Sequence, residues 1–138
     1  MMRHLIVAYD GTSAAERAFL EALELARSGN WQVHAVAVAW SAEVETRVGL
    51  DQERNHCWER LQPLRARGEA LHVPIDLEVR ESNAASSVAE QIVASAQQVH
   101  ADLIVIGHRR RSLVRRLAEA SVAKRVIDRA RCSVLVAP

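Results

Sequence analysis

The fold is decided by one stretch near the start of the chain, His4-Leu-Ile-Val-Ala-Tyr-Asp-Gly-Thr-Ser13. Its first six residues form a nearly continuous apolar run, which is typical of a strand buried on both faces of a parallel sheet. After the polar turn, apolar residues recur at steps of three and four through Ala26, which predicts a helix. Ser13 and Glu16 have the spacing of a capping box, and Gly29 is placed to end this helix. The stretch therefore predicts a strand, a polar turn and a helix in succession.

Four further apolar runs have the length and composition of strands. The third run of the chain alternates apolar and polar residues from Ile75 to Val79, which suits a strand at a sheet edge with one hydrated face. The fourth and fifth runs are nearly continuous in Val, Ile and Leu and therefore favour burial on both faces. The five predicted strands are His4–Tyr9, Val33–Ala39, Ile75–Val79, Leu103–Ile106 and Ser133–Ala137.

Helical periodicity recurs between the strands. The segments Ala85–Val99 and Leu113–Ala130 each carry an apolar stripe, and the first has a second capping-box spacing at Ser87 and Glu90. The segment 50–70 has helical spacing too, but Pro63 would remove a backbone donor and clash with the preceding turn. We expect a helix from about 50 to 70, broken or kinked near Pro63, entered by a loop at Ser41–Val48. Cys57 on this helix could be exposed, which leaves its reactivity open.

Alternation of strands and helices along residues 1–138 predicts a single α/β domain, an open five-stranded parallel sheet with helices on both faces. Right-handed crossovers favour the Rossmann-like strand order 3-2-1-4-5, with the reversal between strands 1 and 4. In such sheets the ligand crevice opens at the carboxyl ends of the strands that flank the reversal. Those ends are Tyr9-Asp10-Gly11-Thr12 and Ile106-Gly107-His108.

Composition excludes several classes of protein. The 138 residues carry a formal charge of +1, with 49% hydrophobic and 25% charged residues, as in ordinary soluble globular proteins. We expect no membrane span and no signal peptide, because no apolar run approaches ~20 residues and the first is too short. The two cysteines, Cys57 and Cys132, form no ligand cluster, which favours a reducing cytoplasm. The six histidines lack the spacings of metal sites, so we expect no bound metal ion of the zinc type.

Other function classes fit the residues poorly. A phospho-accepting receiver domain needs clustered acids after strand 1 and an aspartate ending strand 3, whereas only Asp10 and the sequence Val79-Arg-Glu-Ser82 stand there. No nucleophile elbow and no P-loop pattern occurs, so we predict no catalytic residues and at most weak ATP hydrolysis. Five basic residues between Arg109 and Arg116 could meet an anionic partner or be plain solvated surface. Without a helix-turn-helix signature, we do not expect nucleic acid as a partner.

Three segments resemble the universal stress protein family. The first is Val7-Ala-Tyr-Asp-Gly-Thr-Ser13, and the second is Asp102-Leu-Ile-Val-Ile-Gly107 running into an arginine-rich turn. The third is the closing helix and strand from Ala120 to Val136. The resemblance covers the full length at comparable spacing and implies an adenine nucleotide alpha hydrolase-like fold. It also implies a homodimer that pairs through the last strand, Val134, Leu135 and Val136, whose apolar edge would otherwise be open to aggregation.

The family's ATP-binding members carry a motif of three glycines followed by a hydroxyl residue. On this sequence the first glycine is Gly107, the second falls on Arg110, the third falls on Ala120 and the hydroxyl on Ser121. Glycine permits positive φ and close approach of backbone N–H groups to phosphate oxygens. Positive φ at a residue with a side chain costs about 1–2 kcal/mol, and Arg110 adds bulk at the approach. We therefore predict a degenerate phosphate loop, with weak or absent ATP binding.

Two interpretations of the arginine-rich turn stay open. The guanidinium groups of Arg109 and Arg111 could replace lost backbone donors and bind phosphate directly, or they could be solvated. The resemblance implies further nucleotide contacts at Asp10, Gly11, Val38, Ile106 and Val122. Asp10 could instead cap the first helix, and Val38 and Ile106 could be core residues.

The leading hypothesis is a stress-related binding and regulatory protein whose nucleotide pocket is kept in outline, with no cofactor bound tightly. One alternative is an ordinary member that binds ATP or AMP with magnesium. Another, from a different class, is a structural or adaptor dimer with an empty crevice. The protein partner, the stress and the pathway cannot be predicted from these residues, because a fold hosts many functions.

Overall fold

A computed structural model describes residues 2–40, 47–84, 87–108 and 122–138. All five predicted strands form, as β1 Arg3–Ala8, β2 Trp31–Ala39, β3 Ile75–Glu81, β4 Leu103–Gly107 and β5 Ser133–Ala137. They pair in parallel in the predicted order β3-β2-β1-β4-β5, with the reversal between β1 and β4. The helices are α1 Ser13–Ser28, α2 Arg47–Glu69, α3 Val88–Gln98 and a helical segment at 122–129, here called α4. No helix in these described ranges is long and apolar enough to cross a membrane.

The sheet separates two hydrophobic cores. Successive residues of β1 point to opposite faces, so that Leu5 lies in the first core and Ile6 in the second. Phe19 of α1 closes the first core together with α2, while Ile92 of α3 and Val126 of α4 close the second. This arrangement buries β1 and β4 on both faces, as their continuous apolar runs predict, and leaves β3 and β5 at the two edges of the sheet. The expectation that the fifth strand is buried on both faces is wrong, because β5 is an edge strand on which Ser133 and Leu135 are exposed.

The expectation of a break near Pro63 is wrong, because α2 runs through it without interruption. Pro63 lies on the exposed side of the helix, whereas Cys57, Leu61 and Leu64 are buried against the sheet on either side of it. Burial of such side chains contributes about 1.5–3 kcal/mol each, which offsets the ~3 kcal/mol cost of an internal proline. Of the predicted entering loop, residues 47–48 are helical and 41–46 lie outside the described residues.

Cys57 is fully buried, contrary to the expectation that it could be exposed. Burial raises the pKa of its thiol, and the nearby Arg60 only partly opposes that effect. The thiolate is the reactive form of cysteine, so this environment makes Cys57 inert in the folded protein.

Both capping boxes predicted from spacing are wrong. Thr12 rather than Ser13 is the N-cap of α1, and its hydroxyl oxygen accepts from the backbone N–H of Ala15 at 3.2 Å. At α3, Ser87 makes no side-chain cap, because its hydroxyl group bonds to Ser82 and to the carbonyl of Ala84. Spacing alone could not exclude these competing partners.

Candidate functional site

A cavity of about 140 Å³ opens where the carboxyl ends of β1 and β4 diverge, at the predicted crevice. Its walls come from both faces of the sheet and from the starts of α1 and α3. Five of the predicted nucleotide-contact residues line it together, namely Asp10, Val38, Ile106, Gly107 and Val122. Arg109, Arg110, Arg111, Ala120 and Ser121 lie outside the described residues. The fold thus brings together residues that are up to 112 positions apart in the sequence.

Most of the cavity wall is apolar. Val36, Val38 and Ile106 meet there with Ala123 of α4 and Ile92 of α3. Among the described lining residues, Asp10 is the sole charged side chain. The volume is smaller than the ~300 Å³ at which small-molecule pockets begin, so the described walls can enclose only part of such a ligand. A flat, uncharged ring suits this space better than a phosphate group, which would be desolvated against apolar walls.

Asp10 is held in place by the turn that follows β1. Its Oδ1 accepts from the backbone N–H of Thr12 at 3.1 Å and from the Thr12 hydroxyl at 2.6 Å. Asp10 is therefore not the helix cap itself, since Thr12 has that position and Asp10 orients it. These bonds fix the carboxylate at the rim of the cavity.

Gly11 permits this turn, because its φ of +82° lies in the left-handed region that favours glycine. It is absent from the described cavity wall, so the predicted ligand contact at Gly11 stays a prediction. The side chain of Arg60 from α2 lies over it, and a Cβ added to Gly11 would stand 2.7 Å from Arg60 Cδ. Arg60 in turn contacts Glu53 at 3.3 Å, so α2 packs a charged pair against the turn that carries Asp10.

Gly107 is required by packing rather than by positive φ. Among the described glycines only Gly11 has a positive φ. A Cβ on Gly107 would overlap the carbonyl oxygen of Ala14 and come within 2.5 Å of its carbonyl carbon. The first glycine of the predicted phosphate motif therefore has a structural task of its own, which is to let the start of α1 approach the end of β4.

A polar network that sequence reasoning missed stands beside the cavity. Tyr9, which lines the cavity, donates its hydroxyl proton to Glu16 Oε1 at 3.0 Å. Glu16 also accepts two hydrogen bonds from Arg67 of α2, one of them at 2.8 Å from Nη1 and the other from Nη2. The Arg67 guanidinium lies 4.8 Å from the centre of the Phe19 ring, and Tyr9 packs edge-on against the same ring. This network fixes the orientation of the Tyr9 ring in the cavity wall.

The network shifts the pKa values of its members. Hydrogen bonds from Arg67 hold the pKa of Glu16 below its ordinary value, against the opposing effect of burial. Burial and the neighbouring Glu16 raise the pKa of Tyr9, so its phenol stays protonated and continues to donate. Glu16 and Arg67 are 51 residues apart, and no local signal in the sequence could have paired them.

No group of three or more His, Cys, Asp or Glu side chains in the described parts of the chain is arranged to hold a metal ion. Cys132 is half-buried at the start of β5, and burial raises the pKa of its thiol. The described part of the crevice offers a ligand a concave apolar surface and one fixed carboxylate, that of Asp10.

Comparison with known proteins gives the family of the chain. A universal stress protein of Methanocaldococcus jannaschii is 29% identical over 146 residues, covering 99% of this chain and 82% of that protein. The crystal structure of a universal stress protein family member from Burkholderia pseudomallei matches with a TM-score of 0.79 and 28% identity, covering 98% and 95% of the two chains.

Two more distant structures hold nucleotides. The universal stress protein of Archaeoglobus fulgidus in complex with dAMP matches with a TM-score of 0.75 and 23% identity, covering 100% and 98% of the chains. A universal stress protein in complex with cAMP matches with a TM-score of 0.71 and 22% identity, covering 99% and 96%. Since the model of the universal stress protein family matches residues 1–138, the chain belongs to that family.

Proposed function

We propose that the crevice binds the base and sugar of an adenine nucleoside monophosphate, that ATP binds weakly or not at all, and that the protein is a regulatory homodimer of the stress response. The observation that carries this proposal is the apolar cavity at the reversal of strand order, with the Asp10 carboxylate fixed at its rim. Ligands of open α/β sheets bind at this place.

The chemistry of the wall favours a nucleoside. The planar base would fill the space between Val36, Val38 and Ile106, where apolar contact rewards a flat ring. The Asp10 carboxylate accepts hydrogen bonds, and the hydroxyl groups of a sugar donate them. In such a complex the uncharged base and sugar lie inside the cavity, and the phosphate lies beyond the described walls.

The number of phosphate groups that a bound nucleotide can carry depends on the segment after Gly107. Arg110 and Ala120 stand where ATP-binding relatives have glycine, so backbone donors would approach a triphosphate less closely. A single phosphate needs fewer such donors, and Arg109 or Arg111 can supply them from a side chain. The dAMP and cAMP found in the two matched structures also carry one phosphate each, which agrees with this size of ligand.

Calorimetric titration with adenosine, AMP, cAMP and ATP tests the proposal. We expect saturable binding of AMP or cAMP, weaker binding of ATP, and about tenfold weaker AMP binding in Asp10→Asn. The matched control is Asp76→Asn, which removes an exposed carboxylate from β3 at the other end of the sheet. Absence of binding by every nucleotide would reject the proposal and leave the adaptor function.

Two arginine substitutions test the phosphate segment. If bulk at Arg110 limits ATP, then Arg110→Gly raises ATP affinity while AMP affinity changes little. If Arg109 and Arg111 hold phosphate, replacing both by Gln weakens AMP but leaves adenosine unaffected, and the salt dependence of AMP binding flattens. ATP binding as tight as AMP binding in the wild-type protein would contradict the degenerate-loop argument.

The proposed homodimer pairs through β5. This strand lies at the edge of the sheet, and Leu135 on it is 36% exposed while Val134 and Val136 are half-buried against the second core. Light scattering after size exclusion should give twice the 15.3 kDa chain mass, and Leu135→Glu should halve it. The control is Leu71→Glu, because Leu71 is 38% exposed but precedes β3 at the opposite edge. A monomeric wild-type protein would refute the pairing.

A further inference from the structure

Helix α2 contacts the segment that carries Tyr9 and Asp10 from outside the cavity. Among the described residues, the cavity lining includes none from α2. Leu61 and Leu64 hold the helix against the sheet in the first core. Arg60 and Arg67 are separated by about two helical turns, a spacing that places both on the same side of the helix.

Arg67 holds this segment through Glu16. Its guanidinium donates to both carboxylate oxygens of Glu16, at 2.8 Å from Nη1 and with a second bond from Nη2. A guanidinium–carboxylate pair with two bonds fixes the direction of the carboxylate as well as its distance. Glu16 Oε1 in turn accepts the hydroxyl proton of Tyr9 at 3.0 Å. Because Tyr9 lines the cavity, the position of Arg67 sets the position of the tyrosine ring in the wall.

Arg60 holds the same segment by packing. Its Cδ lies over Gly11, where an added Cβ would stand 2.7 Å away. Its Nη2 donates at 3.3 Å to Oε1 of Glu53, which belongs to the same helix. The guanidinium of Arg60 is thus bound within α2, and the aliphatic part of its side chain lies against the turn next to Asp10.

A third arginine of α2 shows what plain anchoring of the helix looks like. Arg54 Nη1 donates at 2.6 Å to Oε1 of Glu81, the last residue of β3. The side chains of this pair are 36% and 30% exposed, close to the 38% and 34% of Arg67 and Glu16. Neither Arg54 nor Glu81 is part of the described cavity lining. The two ion pairs therefore differ mainly in whether they hold a residue of the cavity wall.

We infer that Arg67 and Arg60 are positioning residues of the nucleotide site, through which α2 holds Tyr9 and Asp10 in the arrangement that binds the base and sugar. This inference rests on the proposed nucleotide function. Neither arginine would contact the nucleotide itself, since Arg67 acts through Glu16 and Arg60 acts through Gly11. Loss of either contact would loosen the wall, and the affinity for the whole nucleoside would fall, whatever its number of phosphates.

Calorimetric titration of the full chain with AMP and with adenosine tests the role of Arg67. Arg67→Gln should weaken both ligands equally, by about fivefold, because the wall around the base and sugar is loosened. Arg67→Lys keeps a cation over Phe19 but cannot form two parallel bonds, so it should show a smaller loss. The matched control Arg54→Gln should change either affinity by less than about twofold.

The same titrations test the packing role of Arg60. Arg60→Ala removes the aliphatic chain that lies over Gly11 and should weaken both ligands about threefold. Arg60→Met keeps an unbranched chain over the turn without the charge, so it should restore most of the affinity. Affinity as low in Arg60→Met as in Arg60→Ala would overturn the packing role.

Tyr9 gives a second readout that needs no ligand, because it is the only tyrosine in the sequence. Phenolate absorbance of the ligand-free protein against pH therefore reports the pKa of Tyr9 alone. Burial raises that pKa most, Glu16 raises it further and Arg67 opposes them. Glu16→Gln should accordingly lower the pKa of Tyr9 and Arg67→Gln should raise it, whereas Arg54→Gln should leave it unchanged.

The outcomes separate this inference from the proposed function. Wild-type affinity in Arg67→Gln, an equal loss in Arg54→Gln, or an unshifted Tyr9 pKa in Arg67→Gln would each overturn the inference and leave nucleotide binding intact. Weaker binding of AMP with unchanged binding of adenosine would also overturn it, because Arg67 would then contact the phosphate directly. Absence of AMP and adenosine binding by the wild-type protein would reject the proposed function, and the inference with it.

Discussion

Replacing Gly107 with alanine tests the claim that this glycine serves packing. The added Cβ would overlap the carbonyl oxygen of Ala14 and lie 2.5 Å from its carbonyl carbon, so α1 and β4 must move apart. Overpacking of this kind costs about 3 kcal/mol, while the lower chain entropy of unfolded alanine recovers about 0.7 kcal/mol. The expected net loss is about 2 kcal/mol of unfolding free energy, or a fall in Tm of about 8 °C for a chain of this length.

Urea denaturation followed by circular dichroism measures this loss, and an unchanged m-value confirms that the same fold is being compared. Gly29→Ala is the matched control. Its φ is outside the left-handed region, and the added Cβ would meet the edge of the Trp31 side chain at 3.0 Å rather than backbone. We expect a change within about 0.5 kcal/mol there.

A double-mutant cycle identifies the atoms that clash. Ala14→Gly removes the Ala14 Cβ, which lies 3.1 Å from the added atom, but leaves the carbonyl group where it is. The double variant should therefore show a coupling below about 0.5 kcal/mol and no rescue. A stable Gly107→Ala protein, or full rescue by Ala14→Gly, would refute the packing argument.

Three further outcomes are expected. Pro63→Ala should raise the unfolding free energy by about 1–3 kcal/mol, because it restores a donor inside an intact helix, and no gain in thermal unfolding would contradict that placement. Glu16→Gln should flatten the acid limb of the curve of stability against pH. Because the pKa of Glu16 is lowered in the folded state, its ionised carboxylate stabilises the fold at pH values above its ordinary pKa of 4.5. That stabilisation is lost as the pH falls through the lowered pKa of the folded state. An unchanged acid limb would exclude the Arg67 pairing as the cause. His100→Gly should stabilise by about 1 kcal/mol in urea melts by relieving the left-handed conformation, and a loss would mean that the imidazole makes stabilising contacts.

The positions and the order of the strands could be predicted because a buried strand has a recognisable local pattern of apolar residues. The run from Leu5 to Val7 is apolar at every position since both faces of β1 are covered, and Ile75 begins an alternating strand at the edge. The crossover rule then leaves few possible orders. The location of the crevice follows from that order, which is why Asp10 and Val38 were predicted to lie together and do line one cavity.

The predictions that were wrong concern residues at which two interactions compete. Thr12 displaces Ser13 as the cap of α1 because Asp10 orients its hydroxyl group, and Pro63 stays within α2 because buried neighbours outweigh its cost. Each outcome depends on the difference between the free energies of two competing interactions of similar strength. A local sequence pattern indicates only one of the two.

The amino-acid sequence by itself determined the layered α/β architecture, the order of the strands and the edge at which a ligand can enter, because apolar periodicity and chain chirality are local properties. Tertiary structure alone decided the Tyr9–Glu16–Arg67 network and the close approach that requires Gly107. These features arise where segments distant in the chain come within a few ångströms. Contact at that range depends on the packed geometry of both partners, which neither segment encodes alone.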